Sequence, residues 1–104
     1  MKKYLLIADQ INVINQQHSL KPNEIEVLDV VAKSHVANES IIVSDLIHNR
    51  PIASPATLHA VLKSLVRKRL IIVKEEKLDA RRKSVSLTKL ALDRYKKLDR
   101  LMSA

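Results

Sequence analysis

Glycine and cysteine are both absent from this chain of 104 residues, and Tyr4 and Tyr95 are its only aromatic side chains. Without cysteine there are no disulfides and no thiolate metal sites, and the chain suits a reducing cytoplasm. Without glycine there is no Gly-rich loop to cradle a phosphate, and every tight turn has to be made by a residue carrying a Cβ. The scarcity of aromatics argues against single-stranded or RNA targets, whose bases stack on aromatic platforms. No segment approaches the roughly 20 apolar residues of a membrane span. The apolar run after Lys2 and Lys3 is cut by Asp9 and Gln10, too early for a secretion signal. His18, His35, His48 and His59 do not fall at i, i+4 spacing, and no local motif marks a Ser-His-Asp set or a carboxylate pair. No metal, no cofactor, no membrane partner and no enzyme activity is therefore expected.

What the chain does have is positive charge, unevenly placed. The formal charge is +8. Residues 1 to 49 net −2, residues 50 to 83 carry ten bases against Glu75, Glu76 and Asp79, and the remainder nets +3. A basic region on one side of a small domain attracts phosphate polymers through contacts that salt weakens.

That region contains Ser54 to Arg69, SPATLHAVLKSLVRKR, around which the rest of the chain is arranged. Ser54 suits a helix cap and Pro55 the first helical position. Leu58, Val61, Leu62, Leu65 and Val66 form one buried stripe, which leaves Ala56, Thr57, His59, Ala60, Lys63, Ser64 and Arg67 outward. The outward face is small, polar and basic, and no acid occurs between Arg50 and Val73. It reads either as a solvated face or as a face that enters a groove.

The spacing predicts four more helices. Tyr4, Ile7, Ile11 and Ile14 mark the seam of one from Lys3 to about Gln17, which either covers the domain's own core or pairs with a second copy of the chain. The next runs from about Asn23 to His35, with Glu24 and Glu26 favouring its positive end and Ile25, Leu28, Val31 and Ala32 buried. Ile41 to Val43 reads as a brief strand, and Ser44 opens a short helix stopped by Pro51. Short helix, turn and the Ser54 helix make a helix-turn-helix. Leu70 to Lys74 and Lys83 to Leu87 then form a hairpin whose loop ends in Arg81, Arg82 and Lys83. Thr88 caps a last helix through about Met102, with Ala91, Tyr95, Leu98 and Met102 on one face, a second possible dimer seam. The fold class expected is mainly α with a small β-hairpin wing, a single winged helix-turn-helix domain over residues 1 to 104. Residues 1 to 19 and 88 to 104 are its dimerisation candidates.

The segments LKPNEIEVL (20 to 28), VSDL (43 to 46), Ser54 to Ile71 and above all DARRKSVSLT (79 to 88) resemble the MarR family of bacterial transcriptional regulators, over about residues 20 to 92. The resemblance implies a homodimer joined through its terminal helices. It also implies that the Ser54 helix enters the major groove of duplex DNA and that Arg81 reaches the adjacent minor groove. On that reading Ser54, Ala56, Thr57, His59, Lys63, Arg67, Arg81, Arg82 and Lys83 face DNA, while Asp79 orients the Arg81 side chain by a charged hydrogen bond. The chain departs from the family pattern at Arg69 and Ala91, where glycine is usual, so the recognition helix is expected to end differently. It also stops at Ala104, so the second C-terminal helix, and with it much of the interface where many relatives bind small effectors, is expected to be missing; nothing in the residues supports an effector. The function expected is a sequence-specific regulator that binds double-stranded DNA, a repressor acting as a homodimer on an inverted repeat. The rival readings are a winged-helix protein-interaction module and a nonspecific architectural DNA binder.

Overall fold

A computed structural model describes residues 1 to 79 and 81 to 103; Ala80, in the expected hairpin loop, and Ala104 lie outside it. Five helices and three strands follow one another as α1 (Lys2–Gln17), α2 (Pro22–Val36), β1 (Ile41–Ile42), α3 (Val43–Ile47), α4 (Pro55–Arg67), β2 (Ile71–Glu75), β3 (Lys83–Leu87) and α5 (Lys89–Ser103). The core gathers Val27, Leu28 and Val31 of α2, Leu46 of α3, Leu58, Val61, Leu62 and Leu65 of α4, and Leu70, Ile71, Val85 and Ala91. These are the apolar positions that helical and strand periodicity bring to one side.

The strands form one antiparallel sheet in the order β1-β3-β2. β3 is therefore central, with Val85 opposite Val73 on one side and Ile41 on the other. The expected strand at Ile41 to Val43 is one residue shorter, because Val43 already opens α3, with extended Ile42 in the capping position that had been expected of Ser44. β2 lies one residue later than expected, since Leu70 is buried in the connection from α4.

The missing glycines are replaced in a consistent way. Ser19, Asn38 and Arg69 have φ of 54°, 55° and 62°, each one residue past the cap of α1, α2 or α4. Each closes its helix with the same pair of backbone bonds. Ser19 N–H donates to Gln16 and Leu20 N–H to Asn15; Asn38 and Glu39 donate to His35 and Ser34; Arg69 and Leu70 donate to Val66 and Leu65. These are left-handed terminations of the kind glycine favours, made here by residues with side chains. The expectation that α4 would end differently for want of glycine is thus corrected: Arg69 adopts the strained conformation, and burial of Leu70 behind it holds it there.

Helix α5 is tied to both neighbours. Tyr95 donates its hydroxyl to Asp29 of α2 at 2.6 Å, and burial together with that carboxylate pushes the phenol's pKa up. Arg94, 2% exposed, donates from Nη2 to Asn15 of α1 at 2.6 Å and lies 5.0 Å from the centre of the Tyr95 ring. Burial, followed by the charges of Arg94 and Lys97, lowers the pKa of His18 at the end of α1. Of the residues expected to form a dimer seam, Ile14 is buried within the protomer, and Ile7, Ile11, Tyr95 and Leu98 are half-buried. Tyr4 is 72% and Met102 63% exposed. Tyr4, Ile7, Ile11 and Met102 nevertheless line one open apolar groove where the two terminal helices meet.

Candidate nucleic-acid interface

Helix α4 starts as its sequence dictates. Ser54 Oγ accepts from the Thr57 N–H at 3.4 Å and donates to Thr57 Oγ1 at 3.1 Å, so the cap also orients the Thr57 hydroxyl. Ser54, Ala56, Thr57, His59, Lys63 and Arg67 are all exposed. Two positions differ from expectation. Val66, expected in the buried stripe, is 44% exposed. It lines a groove between α4 and the hairpin, together with His59, Lys63, Val73 and Lys83. Ser64, expected on the open face, turns toward α2 and donates to Glu24 Oε2 at 2.5 Å.

The groove brings His59 and Lys63 of α4 to the same concavity as Lys83 of β3. A second concavity, beside the start of α3, is lined by Lys83 again with Asp79, Arg81 and Arg82. Lys83 borders both, so the helix and the hairpin present one continuous basic surface. A helix that fits a major groove beside a guanidinium that suits a narrow minor groove is a geometry for gripping duplex DNA.

The hairpin tip is organised differently from the sequence reading. Asp79 Oδ1 accepts from the backbone N–H of Arg81 at 3.0 Å, and the Asp79 carbonyl accepts from Arg82 N–H at 3.0 Å. Asp79 therefore fixes the backbone on which Arg81 stands rather than its guanidinium, which corrects the expected side-chain bond; a carboxylate two residues back is well placed to close such a turn. Arg82 Nε lies 3.4 Å from Glu76, an exposed ion pair worth little in itself.

Lys68 was counted among the bases of this region, yet its ammonium is already taken up within the protein. Its Nζ donates to both oxygens of Glu24, at 2.7 and 2.9 Å, and to the Ser19 carbonyl at 2.6 Å. Glu24 is 2% exposed and also accepts from the Lys21 N–H at 2.8 Å. Burial alone would raise the pKa of this carboxyl. The hydrogen bonds from Lys68, Ser64 and Lys21 outweigh burial and hold it below the ordinary glutamate value of 4.5. A glutamate in the first turn of a helix reads from sequence as a surface residue answering the helix dipole. Its burial depends on α4, 40 residues away, and no local pattern signals it.

Among the described residues no group of His, Asp and Glu could hold a metal, and no helix is long and apolar enough to cross a membrane.

Comparison with protein-family models and with curated proteins finds no match. Comparison with solved structures does. The S. aureus MepR–DNA complex superposes with a TM-score of 0.73 at 19% identity, covering 98% of this chain and 77% of that one. A MarR-like transcription regulator from Bacillus cereus gives 0.66 at 22%, covering 98% and 70%, and YusO from Bacillus subtilis gives 0.67 at 20%, covering 94% and 66%. The chain has the winged-helix fold of MarR-type transcription regulators, mainly α with a small antiparallel sheet.

Proposed function

We propose that the protein is a cytoplasmic transcriptional regulator that binds duplex DNA sequence-specifically as a homodimer, acting as a repressor by occupying its promoter. The observation that carries this is the continuous basic surface in which His59 and Lys63 of α4 meet Lys83 and Arg81 of the hairpin, with no acid on the α4 face. A neighbour of the same fold solved on DNA supports it. Helix α4 enters the major groove with Ala56, Thr57, His59 and Lys63 toward base edges. Ser54 and Arg67 sit at its ends near phosphates, Arg81 reaches the minor groove, and Arg82 and Lys83 neutralise the backbone.

In the dimer the two copies of α4 occupy successive major grooves about 34 to 36 Å apart, so the target is an inverted repeat. The terminal helices supply the dimer contact, through Tyr4, Ile7, Ile11 and Met102 around the apolar groove. Selection from a random duplex pool, followed by footprinting, tests the reading. A discrete palindromic footprint whose affinity falls steeply with salt is expected. Binding without sequence preference would instead mark an architectural protein, and absence of duplex binding a protein-interaction module.

A further inference from the structure

We propose that Glu24 is a positioning residue for the recognition helix: with Lys68 and Ser64 it sets the angle of α4 against the end of α1, and so the spacing between half-sites that a dimer accepts. The inference rests on the DNA-binding reading above and deepens it.

The hydrophobic stripe of α4 holds the helix down without fixing its direction, because apolar contact is non-directional. Among the described residues, the side-chain hydrogen bonds that leave α4 and its cap Lys68 for other elements all run to Glu24 or to the Ser19 carbonyl. They cluster in the last turn of α4, at Ser64 and Lys68. The other end of this node is the turn joining α1 to α2. Glu24 is in the first turn of α2, its carboxylate is also held by the Lys21 N–H, and Ser19 is the left-handed residue that closes α1. One carboxylate and one ammonium thus lock the recognition helix to the end of a terminal helix assigned to the dimer contact.

The choice of chemistry fits a directional role. Burying an ion pair gains little stability over an apolar contact of the same size, whereas its hydrogen-bond geometry is specific. The lever is also long enough to matter. Thirteen residues make α4 about 20 Å long, so a tilt of about 10° at the anchored end moves its far end by about 3.5 Å, close to the rise of about 3.4 Å per base pair. A small change in angle is therefore a change of one step along the duplex.

The test uses the full chain and duplexes carrying the selected inverted repeat with the half-sites at the parental spacing or moved by one base pair either way. The parent is expected to prefer its own spacing by about tenfold or more, as for a misplaced base contact. Glu24→Gln keeps the shape of the side chain and removes its charge. It is expected to stay folded, to bind a single half-site within about twofold of the parent, and to lose most of the spacing preference. Lys68→Met, at a side chain that is itself 24% exposed, is expected to do the same and carries the test with the same outcomes if the first variant does not fold. A folded variant that keeps the parental spacing preference overturns the proposal. A parent that binds no palindrome at all refutes the DNA-binding reading instead, so the two failures are distinct.

Discussion

At the scale of single residues, Arg69 shows how the chain closes its helices without glycine. Its φ of 62° places a Cβ and a long side chain where glycine would fit without strain. Arg69→Gly is expected to raise stability by about 1 kcal/mol, and Ser19→Gly by a similar amount. Asn38→Gly gains less, since asparagine tolerates this conformation. Urea unfolding midpoints check the order. Glu24 gives a second residue-scale prediction. Its folded-state pKa is lowered, so the stability it contributes is complete above the ordinary glutamate value of 4.5 and is lost as pH falls through the folded value. Between about pH 7 and about pH 3 the parent should lose more stability than Glu24→Gln, which has no carboxyl there to protonate. Equal losses in denaturant titrations would remove the lowered pKa from the account.

At the scale of elements, the hairpin and α4 are expected to contribute in different ways. Arg81 stands on a turn braced by Asp79, so Arg81→Ala is expected to weaken operator binding by about 1 to 3 kcal/mol and to relax the sequence at the flanking positions. Lys63→Ala should lower affinity more evenly across sequences and reduce the salt slope by about one. Affinities at several salt concentrations separate the two effects. Much of this was legible in the chain. The Ser54 cap, Pro55 and the Leu58 to Leu65 stripe are local signals, and α4 forms where they place it. The alternation of Val85 and Leu87 with Ser84 and Ser86 likewise located β3 to the residue. What escaped is non-local. Val66 carries the right spacing for the core but lies opposite the hairpin, where a groove remains open. Ser64 reads as an open polar position, and Lys68 only as one base among ten, until α2 brings Glu24 beside them. Asp79 was placed correctly beside Arg81, but whether a carboxylate takes a backbone or a side-chain donor is settled by turn geometry rather than by spacing.

At the scale of the whole molecule, the two ends of the chain lie together and stay partly uncovered. Tyr4, Leu5, Leu6 and Met102 are all more than half exposed, which is a large apolar area for one end of a small protein. Periodicity had marked Tyr4 and Met102 but not Leu5 and Leu6, because a single seam cannot account for consecutive apolar residues around a helix. Tyr4→Glu combined with Met102→Glu is expected to shift the mass in sedimentation from two chains to one while leaving the circular dichroism of the helices unchanged. Operator affinity should fall with it, since two half-sites are then no longer held by one particle.

The sheet order has a kinetic consequence. β3 is paired on both sides, to β2 within the hairpin and to β1 at the entrance of α3, through Val85 with Ile41 and Ser84 with Ile42. The base of the hairpin is thereby stitched to the body that carries α4, so the direction in which the arm leaves is set before any encounter. Little freedom is left to be frozen out when the partner arrives. Mixing experiments should then follow a single exponential whose rate rises in proportion to duplex concentration, with no slower phase from a rearranging arm.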